Sequence, residues 1–190
     1  SWPDRIGLIY QPYCAFIKAV AAHEFVHINV KDKELQNFAI NKLESVSADL
    51  SRIRFFLHPT NDAWCRDHGP AFLINPAAVQ PKIIVDWNYN AWGNKYPPFD
   101  LDDQIPTRIA EAYNIPVLYP EIIMEGGSVD FNGQGTLISS KSCLLNENRN
   151  PALSQADIEA YLHAYYGVDQ VLWVADGIIG DDTDGHIDDT

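Results

Sequence analysis

A chain of 190 residues that is 46% hydrophobic and 12% aromatic has a globular composition and is long enough for one good core or two small ones. Its formal net charge of −13, from 26 acids against 13 bases, repels nucleic acid and anionic membrane and attracts cations. No apolar run reaches the roughly 18 residues of a membrane span and no secretory leader opens the chain, so the expected compartment is the cytoplasm.

Cys14, Cys65 and Cys143 are odd in number and widely spaced, which fits neither a disulfide framework nor a structural zinc site. Ser1 begins without a methionine and Thr190 follows an Asp-rich segment directly, so the expectation is a piece of a longer protein, here one continuous domain.

In chain order, "RIGLIYQ", "FVHINV", "RIRFFLHP", "AFLIN", "KIIVDW", "PVLYP", "GTLISS" and "QVLWVAD" read as short strands, each bounded by Gly, Pro, Asn or Asp. Helical spacing predicts helices over about Tyr13 to Ala22, Asp32 to Val46, Asp102 to Tyr113 and Pro151 to Tyr166. The second should bury Leu35, Phe38, Ala39 and Leu43, and the third Ile105, Ile109 and Ala112. The last carries a capping-box start at Ser154 and Asp157 and a stop at Gly167. "VDFNGQGTLIS" reads as a hairpin turning at Asn132-Gly133. The fold class expected is α/β with hairpins.

Four stretches are polar and aromatic where structure alone would prefer apolar residues: "NDAWCRDHGP", "DWNYNAWGNKYPPFDLDDQIP", "EGGS" and "GDDTDGHIDD". Each follows a predicted strand, where α/β proteins place their sites. A calcium loop with Gly185 at its sixth position sets Asp182 and Asp184 well but leaves Gly180 first and the twelfth position beyond the chain. A zinc site is weaker still, with one histidine and no H-E-x-x-H partner.

A planar cation fits better, because carboxylates approaching from two sides bind a guanidinium and fix its orientation. Were the terminal segment a strand, His186 and Asp188 would share a face. With Asp67, Glu125 and Trp64, the inventory is carboxylates for the cation, indole for its flat face and histidine for proton transfer. His68 follows Asp67 and is expected to be structural more than part of that site, and Arg66 is expected to orient its carboxylates. Asp181, Asp182, Asp184 and Asp189 are expected to shape the turn, while Asp86 is divided between binding and fixing the loop after its strand. Trp87, Tyr89 and Trp92 are either the core of an irregular loop or a wall over the substrate stem.

These strings, in this order and with "SWP" and "GQGTLISSKSCLLNENRNP", resemble the agmatine deiminase and bacterial peptidylarginine deiminase family of the guanidino-group-modifying superfamily. The resemblance implies the pentein fold, an α/β propeller of ββαβ blades with pseudo-fivefold symmetry, of which these residues are the N-terminal and middle part. It also implies hydrolysis of a guanidino group to a ureido group with loss of ammonia, agmatine giving N-carbamoylputrescine, through a cysteine amidino-thioether. The nearest alternative acts on arginine residues of peptides, and a non-catalytic pentein binding module is an alternative of another class.

By motif, Asp67 and Asp188 would clamp the guanidinium, and His186 would protonate the leaving ammonia and then activate water. Glu125 would hydrogen-bond the guanidinium and assist proton transfer, with Trp64 and Trp92 lining the pocket. No metal or organic cofactor is implied, the partner is a small guanidino cation, and a homo-oligomer is compatible. The family's nucleophilic cysteine lies in a Gly-rich segment near the C-terminus that has no counterpart here, so the 190 residues alone are expected to be inactive. In an extended segment Cys65 would share a face with Asp67, yet the family places a variable residue there; Cys14 and Cys143 read as buried apolar side chains.

Overall fold

The computed structural model describes residues 5–190, so "SWP" lies outside them. Two compact units divide the chain, Ser1–Ala63 and Trp64–Thr190.

In the first unit, α1 (Ile6–Ala21) and α2 (Lys33–Ser45) accompany two parallel strands, β1 (Val26–Asn29) and β2 (Ile53–Phe56), in register Val26↔Ile53. The stretch "RIGLIYQ" is therefore helix and not strand, and the helix predicted from Tyr13 begins a full two turns earlier. The reason is packing: Cys14, Ile17 and Ala21 fall at helical spacing and close over Leu43 and Ile53, which an alternating strand could not do. On α2 the buried stripe is turned from the expected one. Leu43 is buried as predicted, but Leu35 and Phe38 are exposed, and Phe38 meets Tyr10 edge-on. Asp32 caps α2, its carboxylate accepting from the Leu35 N–H at 2.8 Å.

The second unit repeats one motif twice. β3 (Ala71–Ile74) pairs antiparallel with β4 (Lys82–Val85), and after α5 (Ile105–Tyr113) the chain returns parallel to β4 as β5 (Val117–Leu118). β6 (Val129–Phe131) then pairs antiparallel with β7 (Thr136–Ser140), and after α7 (Gln155–Tyr166) β8 (Gln170–Val174) returns parallel to β7. Both are ββαβ units, a structural repeat that no period in the sequence displays. Each hairpin supplies two strands and each helix the crossover that a parallel return requires.

The second hairpin turns where "NGQG" predicts, with Asn132 Oδ1 accepting from the N–H groups of Gln134 and Thr136. The α7 start is the expected capping box of Ser154 and Asp157, and Gly167 closes the helix in the left-handed conformation. The helix begins at Gln155 and not at Pro151, because Ser154 is the cap. On α5, which begins at Ile105 and not Asp102, Ala110 is buried in place of Ala112. Leu137, Ile158 and Leu162 are fully enclosed in this unit's core, each burial contributing about 1.5–3 kcal/mol.

Short one-turn elements fill the links: α3 (Cys65–His68), α4 (Ala91–Asn94), the 3-10 turn Gly126–Ser128 and α6 (Lys141–Leu144). The first three hold parts of three of the four polar stretches that the sequence set apart.

Candidate functional site

The turn of α3 forms because Trp64 and Cys65 carbonyls accept from Asp67, His68 and Gly69 N–H groups before Gly69 turns extended. This corrects the extended reading of "WCRD". The turn buries Asp67 and His68 and leaves Cys65 exposed, so Cys65 and Asp67 do not share a face.

Asp67 meets the "EGGS" turn. Its Oδ1 accepts from the Gly127 N–H at 3.1 Å and its Oδ2 from the Trp92 indole N–H at 3.2 Å. Gly127 is a close approach in both directions: a Cβ there would run into His186 Nδ1 and the Asp67 carboxylate, and one on Gly126 would meet the Arg66 carbonyl. The Gly127 carbonyl accepts from the N–H groups of Ile187 at 3.2 Å and Asp188 at 3.3 Å, which docks the terminal loop on the same residue.

That loop is a chain of turns and not a strand. His186 and Asp188 nevertheless converge, Nδ1 of His186 lying 3.6 Å from Asp67 Oδ1 and 3.7 Å from Asp188 Oδ1. Asp181 organises the loop, its carboxylate accepting from the N–H groups of Thr183, Gly185 and His186. Asp182 takes the Tyr96 hydroxyl at 2.6 Å, and Asp184 binds Lys95 and Arg149, so these three acids shape the turn as expected. Asp189 is exposed.

Around this centre, Trp64 and Trp92 stand edge to face with centroids 6.4 Å apart, and Tyr89 backs Trp92 at 5.6 Å. Arg66 reaches Asp188 at 3.6 Å, the orienting contact the sequence suggested, though both side chains are partly exposed and the pair is worth little. His68 lies beside Asp102 and edge-on to Tyr89, in the layer behind the indole. Asp86 accepts from the Thr107 hydroxyl at 2.6 Å and so fixes α5 to β4. Trp87 packs on Tyr165 and Tyr166 as core.

Glu125 is fully buried behind the site, where its Oε1 accepts from Arg149 Nε at 2.7 Å and its Oε2 lies 4.0 Å from Cys143 Sγ. Sequence reasoning missed both partners. Arg149 was hidden in "LNENRNP", where an arginine among four asparagine and glutamate neighbours was the available signal, and Cys143 was read as plain core. Glu125, Cys143 and His186 offer donor atoms within 4.8 Å of one another, a spacing that suits a metal. The Arg149 guanidinium already neutralises Glu125 and lies 4.0 Å from the sulfur, so a dication there would meet a resident cation.

Burial governs the protonation states. It pushes Asp67 up to about 7, helped by the Glu125 charge and opposed by the bonds from Gly127 and Trp92. Burial also lowers His186 to about 4, although Asp181 pulls the other way. The Cys143 thiol is pushed well up by burial and by Glu125, so it rests protonated. The centre therefore holds a neutral imidazole facing an acid that readily keeps its proton. A planar cation beside Asp67 and Asp188 would favour the ionised carboxylates that burial now disfavours.

The chain matches the profile of the Porphyromonas-type peptidyl-arginine deiminase family over residues 1–190. It belongs to that family. Agmatine deiminases of Pseudomonas fluorescens and Pseudomonas syringae pv. tomato are 39% and 38% identical to it, each alignment covering 98% of this chain and 51% of the relative. Among solved structures, a Cys-to-Ser variant of the C. jejuni agmatine deiminase with substrate bound superposes with a TM-score of 0.85 at 32% identity, covering 98% of this chain and 53% of that one. The agmatine deiminase of Enterococcus faecalis gives 0.82 at 35% identity, with 92% and 47% covered. The family member described here thus spans about half the length of the relatives it matches.

Proposed function

We propose that this chain is the substrate-clamping part of an agmatine deiminase, a hydrolase that converts agmatine to N-carbamoylputrescine and ammonia. The observation that carries this reading is the meeting of Asp67, His186 and Asp188 on one residue, Gly127, beneath a wall of Trp64 and Trp92. Two carboxylates of different loops face a common space, as a guanidinium requires.

In this mechanism Asp67 and Asp188 hold the guanidinium nitrogens, and a cysteine thiolate attacks the guanidinium carbon. His186, neutral at rest, takes the proton that the cysteine gives up on becoming a thiolate and donates it to the leaving ammonia, and an amidino-thioether remains. Water, deprotonated by the now neutral His186, attacks this carbon; the C–S bond breaks to return the thiolate and release the ureido product. Proton transfer by such a group is worth roughly 10²–10⁴ in rate. Glu125, one oxygen held by Arg149, keeps Oε2 for the guanidinium and for assisting the proton transfer; burial raises its pKa above the ordinary carboxylate value and the Arg149 guanidinium opposes that rise.

The nucleophile comes from sequence following Thr190. Cys65 projects outward from α3 and Cys143 is held as a buried thiol, so neither serves. The two ββαβ units and the first unit are, on this reading, parts of one pentein propeller that further blades complete, and the 190 residues alone are inactive. The protein is cytoplasmic, and polyamine synthesis consumes its product.

The test is ammonia release by the full-length protein from agmatine, free arginine and an arginyl peptide, with His186→Ala as control. Agmatine is expected to be the preferred substrate, and His186→Ala to lose at least about 10²-fold in kcat with its fold retained. Preference for the arginyl peptide would move the reading to peptidylarginine deimination, which the family's description favours. No release from any of the three would leave a non-catalytic guanidinium-binding module.

A further inference from the structure

Resting on that reading, we propose that Arg149 is a positioning residue for the reaction: it fastens Glu125 and the His186-bearing loop to one another, fixing the imidazole relative to the guanidinium site. Its guanidinium is enclosed and spends every N–H. Nε donates to Glu125 Oε1 at 2.7 Å; Nη1 donates to Asn148 Oδ1 at 2.6 Å and Asp184 Oδ2 at 2.8 Å. Nη2 donates to the Thr183 carbonyl at 2.9 Å and lies 4.0 Å from Cys143 Sγ. Three separate stretches, the "EGGS" turn, α6 and the terminal loop, are therefore tied by one planar group.

Stability alone is a poor reason for such a pair. A buried ion pair can be replaced by apolar residues of similar volume at little cost, whereas its geometry fixes neighbours that apolar packing leaves loose. The fork matters as much as the charge, since Lys can neutralise Glu125 but cannot reach Asp184 and Thr183 at once. The loop that Arg149 holds carries His186 two residues after Asp184, and His186 is only 2% exposed, its Nε2 buried without a hydrogen-bond partner. The imidazole is hence aimed by the loop and not by its own bonds. The charged and titratable groups around it are Asp67 from α3, Asp181, Asp184 and Asp188 from its own loop, Glu125, Cys143, Arg66 and Arg149 itself.

The experiment compares Arg149→Lys and Asp184→Asn with wild type in the full-length enzyme, by steady-state kinetics on agmatine and by NMR titration of the His186 imidazole. Arg149→Lys is expected to lower kcat about 100-fold, the effect of misplacing a catalytic group by about 1 Å, with KM within about threefold. Its imidazole should titrate higher than in wild type, toward the ordinary histidine value, because a loosened loop lets water reach it. Asp184→Asn weakens the loop arm, together with the Lys95 contact, at a partly exposed position and should lower kcat about tenfold with KM within about threefold. Losing the Asp184 charge, which itself raises the imidazole, opposes the effect of loosening, so the kinetics are the readout for this variant. If Arg149→Lys does not fold, Asp184→Asn decides alone. Wild-type kcat in either folded variant, or an unmoved imidazole titration in folded Arg149→Lys, overturns the proposal. Should wild type itself release no ammonia, the functional reading fails, while the imidazole titration still judges Arg149.

Discussion

Asp67 concentrates the physics of the site in one side chain. Raised from 3.8 to about 7, it binds a proton more tightly folded than unfolded, so its contribution to stability is fully present below about pH 3.8 and is lost as pH rises through about 7. His186, lowered from 6.5 to about 4, acts oppositely, costing stability as pH falls through that window, and the two partly cancel between about pH 4 and 6.5. Asp67→Asn should therefore gain on wild type as pH rises, by on the order of 2–4 kcal/mol between pH 5 and 8, while losing turnover. Melting temperatures across that range check it, and parallel curves for the two proteins would place the titration on another group. The residue types at this centre were legible in the sequence, but their geometry was not. His186 and Asp188 were expected to meet through strand alternation, and they meet because Gly127 offers its carbonyl to the backbone of Ile187 and Asp188. Glu125 was named without its guanidinium partner, since a pairing across 24 residues leaves no local trace.

Elements that repeat a simple period were readable, and those set by a single tertiary contact were not. The capping box and Gly stop of α7, the "NGQG" turn and the alternation of strand and helix all express local chemistry, so the α/β class follows from them. The strand expected at "RIGLIYQ" failed because Leu43 and Ile53 select the helical face of α1. The turn α4 was out of reach for another reason. Ala91, Trp92, Gly93 and Asn94 all have positive φ, at 50°, 56°, 80° and 64°, so the chain winds left-handed for a full turn, a conformation costing roughly 1–2 kcal/mol per non-glycine residue. Asn90 supports it, its side chain accepting from the Gly93 N–H at 2.8 Å, and the result is an indole delivered to Asp67. Strain of this kind collects where a side chain must be aimed. A sign inversion tests the handedness: Asn94→Ala, at an exposed position, should destabilise by about 1 kcal/mol in urea unfolding, where the same change in an ordinary helix stabilises by several tenths. A more stable Asn94→Ala protein would refute the left-handed turn.

At the scale of the molecule, charge and the proposed function point the same way. The surplus of 26 acids over 13 bases includes Asp67, Asp181, Asp182, Asp184, Asp188 and Asp189 at or beside the site, answered locally by Arg66, Lys95 and Arg149. Lys95 and Arg149 are committed to Asp184, and Arg66 is drawn to Asp188, so the bases order the loops more than they cancel the field. A dicationic aminoalkylguanidine such as agmatine is attracted by such a field before it touches the indoles, and a field of this reach is cut when the screening length falls to a few ångströms in concentrated salt. Contacts inside the closed site are screened much less. For the full-length enzyme, kcat/KM on agmatine should accordingly fall about three- to tenfold between roughly 20 mM and 500 mM NaCl, with kcat changing less than about twofold. A singly charged alkylguanidine should show a shallower decline, because each added positive charge deepens the attraction. Equal salt slopes for the two substrates would mean that the acids act only as anchors for the turns and not as a funnel for the cation.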